Sequence, residues 1–341
     1  MNTVLVTGGS GFVAAHLVRE LLERGYTVHA TVRSRTATAK VAPLTALGAQ
    51  HPGRLRLFEA DLLTEGSFDE AASGCAVVFH VASPFLMPER IKDGYRDVVE
   101  PALTGTRNVL GAVERTRSVE RLVFTSTVGA IFGDYADVLT HMGGELSEKH
   151  VNSSSTVENN PYHYAKTVAE QAAWDACHAQ DRWSMVAVNP GLILGPSLTP
   201  ASDSGSLFLL DELFKGYFCY GAPDFSFTTV DVRDVALAHI AAAENPDAHG
   251  RYILAEREMT SFHEMATIVR RHHKDWRLPR TALPHWPVRI LGPAFGLSQD
   301  YIRGHLGIRF TVDNRRSIEE LGISYRPVEE TLLDHYRAWR R

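Results

Sequence analysis

Cysteine is scarce in this chain: only Cys75, Cys177 and Cys219 occur in 341 residues, far apart and in no C-x-x-C arrangement. The odd count and wide spacing argue against a disulfide framework and fit a reducing cytoplasm, so each reads as a buried or partly buried thiol. Long apolar runs are missing as well, and no stretch approaches the ~20 residues needed to span a bilayer. The chain starts directly on an apolar strand at residues 3–7, without the basic region, long apolar run and cleavage site of a signal peptide. An excess of one charge is also absent: Lys+Arg 35 against Asp+Glu 40 gives a net charge of −5. That balance makes bulk binding to a nucleic-acid backbone a poor fit. Sixteen histidines are present, but none stands in a His-Glu-x-x-His or comparable ligand spacing. His272-His273 lies in a basic run, 270–274, and reads as a solvated helix end. A soluble cytoplasmic protein is expected, with no nucleic acid, membrane or metal partner, as monomer or homodimer.

What is present is ample apolar material, 44% of residues against 22% charged, enough for a large core. Short β-branched runs at 3–7, 27–32, 55–59, 76–81, 121–125 and 185–189 alternate with amphipathic stretches, notably 14–24, 94–116 and 162–179. Only the stretch after residue 32 reads as basic and irregular. Such alternation means βαβ units and an α/β fold: a Rossmann-type doubly wound parallel sheet covered on both faces. After Pro190 the pattern loosens into a Gly/Pro-rich segment (191–200) and a loop-like stretch at 202–205. A strand–helix unit returns at 227–243 and a strand at 251–254; then Pro279, Pro284, Pro287 and Pro293 mark a smaller, mostly helical lobe. The expected organisation is a discontinuous nucleotide-binding domain (1–190 plus about 226–255) and a substrate-binding lobe (191–225 plus about 256–341).

The first strand runs into Thr7-Gly8-Gly9-Ser10-Gly11-Phe12-Val13-Ala14, and a helix follows at once. A tight turn without bulky side chains lets backbone N–H groups approach a pyrophosphate, and the helix N-terminus adds partial positive charge. The glycines read as Gly9-x-Gly11-x-x-Ala14 or Gly8-x-x-Gly11-x-x-Ala14, with Ala14 small enough for close helix–strand packing. The second strand ends at Arg33, 22 residues after Gly11, where an NAD site usually has an acidic residue. Arg33, with Arg35 and Lys40 nearby, suits a 2′-phosphate, so NADPH is expected over NADH. Asp61-Leu62 after the third strand is positioned to meet adenine, and the small run Val81-Ala82-Ser83 lets the fourth strand pass close under a cofactor.

Tyr162 and Lys166 stand at i and i+4 near a helix start and share one face. An ammonium beside a phenol favours the phenolate and draws its pKa down from about 10 towards neutrality. Tyr164, two residues from Lys166, does not face it. Thr127, 35 residues before Tyr162 at the end of a strand, offers a hydroxyl to a substrate carbonyl oxygen.

With these motifs in order, the chain resembles the extended short-chain dehydrogenases/reductases, and within them the dihydroflavonol 4-reductase-like carbonyl reductases. The resemblance is carried by residues 7–14, Phe79–Pro84, Gly105–Leu110, Phe124–Thr127, Tyr162–Lys166, Asn189-Pro190-Gly191, Val230–Ala236 and Ser317–Gly322. It implies that Tyr162 donates the proton, and that Lys166 binds the nicotinamide ribose and lowers the Tyr162 pKa. It also implies that Pro190, Gly191 and Leu192 lie against the nicotinamide, with Thr125 close to the cofactor. Thr127 stands where a Ser is usual, leaving Ser126 as the alternative hydroxyl. The substrate is expected between the lobes, near Ser83, Pro84, Phe85, Phe132, Tyr220, Phe225 and Phe227. Phe132 replaces a polar residue of plant flavonoid reductases, and residues 160–164 lack the Asn-Trp-Tyr-Cys-Tyr of cinnamoyl-CoA reductases. The reading is therefore a broad aldehyde or ketone reductase, ketoesters and diketones included. The rivals are an NAD-dependent nucleotide-sugar epimerase or dehydratase and a non-catalytic NADP(H)-sensing regulator.

Overall fold

The computed structural model describes residues 3–84, 86, 91–198 and 204–340. Seven parallel strands form the central sheet: β1 (Thr3–Val6), β2 (Thr27–Val32), β3 (Leu55–Glu59), β4 (Val77–His80), β5 (Arg121–Thr125), β6 (Ser184–Pro190) and β7 (Gly250–Leu254). Their order across the sheet is β7-β6-β5-β4-β1-β2-β3. The alternation within each strand explains why both faces are covered. Val4, Val6, Phe79, Val123, Val186 and Val188 enter one core, and their neighbours Leu5, Val78, Leu122, Phe124, Met185 and Ala187 enter the other.

Helix α1 (Phe12–Glu23) covers the first face, ending where Gly25 takes φ +85°. The stretch after β2, read as irregular, is instead a helix, α2 (Thr38–Gln50), interrupted by Pro43. Its hidden signal is Val41, Leu44 and Leu47, spaced by three and buried against the sheet. A wider π-type turn (Tyr95–Val99) leads into α3 (Glu100–Arg115), which packs with α4 (Pro161–His178) on the second face. Asn160 caps α4 by accepting a bond from the His163 N–H, and Pro161 suits the first turn. Helix α5 (Val232–Glu244) returns the chain to α1 and the first core.

A further core gathers Leu194, Leu210, Leu213, Phe214, Ala222 and Phe225 with Phe262, Met265, Leu332 and Tyr336. Its helices (Gly205–Lys215, Phe262–His272, Val328–Trp339) come from both sides of β7 in sequence. The C-terminal chain also reaches back: Thr311–Val312 pairs with Glu145–Leu146, and Leu321 and Ile323 enter the first core. Of the loop expected at 202–205, residues 202 and 203 lie outside the described residues, as do 199 and 200 of the Gly/Pro-rich segment.

Candidate active site

The carboxyl ends of β1 and β4, where the strand order reverses, carry the glycine turn. Gly8 adopts φ +67°, and a Cβ there would sit 3.0 Å from Cβ of Ala82, so β4 runs directly beneath the turn. The Gly11 N–H closes the turn on the Gly8 carbonyl at 2.8 Å, and a Cβ on Gly9 would strike Ala30. The N–H groups of Gly8 and Gly9 do not point outward as expected. They donate to Thr31 Oγ1 (3.0 Å) and to the Thr31 carbonyl (2.7 Å), which pins β1 to β2. The opening for a phosphate is instead the start of α1, where Gly11 provides no side-chain cap and the first turn holds no acid. Phe12 and Val13 open that helix.

Thr7, expected against the cofactor, is fully buried. Its Oγ1 accepts bonds from the N–H groups of Val81 (3.0 Å) and Ala82 (2.9 Å) and meets His80 Nδ1 at 3.1 Å. Those bonds hold the ends of β1 and β4 together. Arg33 follows β2 exposed to solvent, and Lys40 lies in the first turn of α2. The Asp61 carboxylate accepts from the Leu63 N–H at 2.8 Å and so forms a local turn. Leu62 rests on Gly105, where a Cβ would lie 3.0 Å from Leu62 Cβ, while Asn108 donates to its carbonyl.

On α4, Lys166 is 8% exposed and its ammonium donates to the Thr125 carbonyl at 3.4 Å. Burial pulls its pKa down to about 8, with the Glu170 carboxylate opposing the fall. One turn earlier Tyr162 remains 41% exposed, yet its crowded surroundings desolvate the hydroxyl and raise its pKa above the ordinary phenol value. The expected lowering by Lys166 is absent because that ammonium is turned to the strand end. Tyr164 packs instead beside Val99, Ala102 and Ala165.

The two candidate hydroxyls separate cleanly. Ser126 is buried and donates to the Glu170 carboxylate, away from any ligand. Thr127 is half-buried, and its Oγ1 donates to the Pro190 carbonyl at 3.3 Å while accepting from the Gly129 N–H. At Gly191 a Cβ would lie 2.3 Å from the Thr228 carbonyl oxygen, so only glycine fits. Its N–H donates to Leu254, and the Leu192 N–H to Thr228.

A cleft at these strand ends is lined by Leu62, His80, Ala82, Ser83, Pro84, Thr125 and Lys166. His80 is held neutral, its pKa lowered to about 3 by burial and by Lys166. Of the expected substrate contacts, Ser83 and Pro84 line this cleft. Phe132 and Phe225 are core residues, 3% and 5% exposed: Phe132 meets Tyr135, His163 and Phe310 edge-on, and Phe225 packs on Tyr301. Phe227 packs against Phe262, Tyr220 stands 95% exposed, and Phe85 lies outside the described residues. For Phe132 and Phe225 the reason is that aromatic type alone does not separate a pocket wall from a core position. Sequence reading passed over Glu170, buried one turn beyond Lys166; the repeat of the four-residue interval from Tyr162 was its signal.

No group of three or more His, Cys, Asp or Glu that could hold a metal occurs among the described residues, and no helix there is long and apolar enough to cross a membrane. All three cysteines are free thiols.

A sheet of this order, with a glycine turn at its switch point, defines a dinucleotide-binding α/β protein of Rossmann type. Comparison with known sequences narrows the class. The model of the NAD dependent epimerase/dehydratase family matches residues 4–255, and the chain belongs to this family, that of the extended short-chain dehydrogenases/reductases. It is 36% identical over 324 residues to cinnamoyl-CoA reductase CAD2 of Medicago truncatula, covering 94% of this chain and 95% of that one. It is 35% identical over 277 residues to dihydroflavonol 4-reductase of Gerbera hybrida, covering 81% and 74%. Among solved structures it is similar to Gre2 of Candida albicans, crystallised in complex with NADPH: TM-score 0.78, 28% identity, 99% and 98% of the two chains. These relatives mark the chain as an oxidoreductase of the reductase branch.

Proposed function

We propose that the chain is an NADPH-dependent reductase that converts the carbonyl of a small aldehyde, ketone, ketoester or diketone into an alcohol, with Tyr162 as proton donor. The observation that carries this reading is a buried lysine, Lys166, at the floor of the strand-end cleft, one helical turn from a solvent-open phenol. The residues fit a dinucleotide: the turn at Gly8 leaves no room for a Cβ, α1 is uncapped, and Gly191 admits no side chain. Phe12 and Val13 would meet the diphosphate, Arg33 and Lys40 a 2′-phosphate, Leu62 the adenine side, and Ala82, Pro190 and Gly191 the nicotinamide end.

When bound, the reduced nicotinamide supplies hydride. Tyr162 then gives its proton to the carbonyl oxygen, and Thr127 Oγ1 leaves Pro190 to donate to the same oxygen as negative charge develops. Lys166 holds the ribose hydroxyls and supports loss of the Tyr162 proton. Desolvation holds the Tyr162 phenol in its protonated form. Likeness to named reductases and to an NADPH-complexed structure supports the cofactor and reaction class. The Cys-free helix start Asn160-Pro161-Tyr162-His163-Tyr164 keeps the substrate reading broad.

Following NADPH absorbance with aldehydes, aryl ketones, ketoesters, diketones and dihydroflavonols tests the proposal. Turnover of one carbonyl class is expected. A chain that binds the cofactor, reduces none of them and instead epimerises or dehydrates a nucleotide sugar refutes it.

A further inference from the structure

Tyr162, Lys166 and Glu170 recur at four-residue intervals along one face of α4. Glu170 is wholly buried, and four donors from four places in the chain converge on its carboxylate. One oxygen accepts from the Arg251 guanidinium of β7 and from the Trp174 indole at 3.2 Å. The other accepts from the Ser126 hydroxyl and from the Asn189 amide at 3.0 Å. The same Asn189 amide nitrogen donates to the Thr127 carbonyl at 3.0 Å. A carboxylate has about four acceptor sites, so this one is saturated.

We propose that Glu170 is a positioning residue of this site: its buried bonds tie the helix that carries Tyr162 and Lys166 to the strand ends that carry Thr127, and its carboxylate stands one turn beyond Lys166 as a counter-charge. The inference rests on the reading of Tyr162, Lys166 and Thr127 given above. Arg251 is the anchor on the far side, 14% exposed at its side chain, and it also bonds the His150 carbonyl. Among the described residues, the groups around Lys166 include no acid other than Glu170. From β4 comes His80, which is neutral; from β5 the Thr125 carbonyl; and from α3 Ala102 and Thr106. Burial alone drives the Lys166 pKa downward, and Glu170 opposes it.

Two variants separate charge from structure. Glu170→Gln keeps the shape but leaves Arg251 without its anion, so it also loses stability. Glu170→Gln combined with Arg251→Met removes both charges, which restores the melting temperature without returning the counter-charge of Lys166. In both, NMR titration of 13C-labelled lysine should find the Lys166 signal titrating at lower pH than in the wild type. For the turnover substrate, kcat should fall roughly fivefold at pH 8 yet change less than about twofold at pH 6. The KM for NADPH should hold. An unmoved Lys166 titration in the double variant, or a kcat unchanged at both pH values, overturns the proposal. A displaced titration in a protein that reduces no carbonyl supports the role of Glu170 and rejects the reductase reading instead.

Discussion

At the scale of single residues, chemistry in this molecule is set by what burial does to a titratable group. Ser126 is tied to the buried Glu170 carboxylate, whereas Thr127 is half-buried with its hydroxyl on the Pro190 carbonyl. As Thr127 is the proposed substrate hydroxyl, Thr127→Ser should keep most of the activity, whereas Thr127→Val should lower kcat about 10²-fold. Steady-state rates at saturating NADPH measure both. Arg33, following β2 where no acid stands, should matter to the 2′-phosphate alone. Arg33→Ser is expected to raise the KM for NADPH about tenfold or more while leaving that for NADH within about twofold; equal changes would remove its assigned role. Buried histidines give a pH signature. His16, His239 and His335 are depressed to about 4 and His80 to about 3, all mainly by desolvation. The folded protein holds them neutral, while the unfolded chain takes up their protons below pH ~6.5. Stability is therefore full above that value and falls as the pH drops towards the folded pKa values, each site costing on the order of 3 kcal/mol by pH 4. Four such sites rival the ~5–15 kcal/mol that hold a domain together. The melting temperature should fall steadily from pH 6.5 and the protein should unfold before pH 4; a flat profile down to pH 4.5 contradicts this.

At the scale of elements, two charged knots decide where helices sit. Asp231 caps α5 and is fully bonded: it accepts from the Arg233 backbone and guanidinium and from Thr331 Oγ1 on the C-terminal helix Val328–Trp339. Arg233 then reaches Asp334 at 2.8 Å, and Arg326 pairs with Asp234. The Val230–Ala236 motif is thus a clasp between the first core and the last helix. Asp231→Asn leaves Arg233 poorly compensated and should cost about 3–5 kcal/mol of stability, read as a fall in denaturant midpoint; loss of activity with no loss of stability would point to a direct role instead. Sequence alone was enough to locate β2, β3 and β5 to the residue and to give α4 within one. Their periodicity is strong and their ends carry Pro, Gly or a change of hydrophobicity. Helix α2 escaped because Pro43 and exposed Thr, Lys and Gln dilute its buried face, and because helix propensity is a weak prior against packing.

At the scale of the whole molecule, the glycine turn stands where the sheet order reverses, and Ala82 beneath it lines one cleft with Lys166, a placement legible from motif order. The partners were not. Thr31 takes the N–H groups of Gly8 and Gly9, Thr7 bonds the end of β4, and Glu170 lies in the core beside Arg251, contacts made across tens of residues. The aromatic candidates failed for a related reason. A second core assembled from two distant segments needs large apolar side chains as much as a pocket does, so Phe132 and Phe225 carry no positional label in the sequence. What distinguishes Ser83 and Pro84 is their place after β4, which topology supplies.

The central claim is that Tyr162 delivers the proton in carbonyl reduction, and Tyr162→Phe tests it most directly. Binding of NADPH, followed by fluorescence, and turnover of the best carbonyl substrate should be measured side by side for wild type and variant. Cofactor affinity should stay within about threefold while kcat falls by ~10²–10⁴. Full turnover in the phenylalanine variant would contradict it and move the proton donor elsewhere.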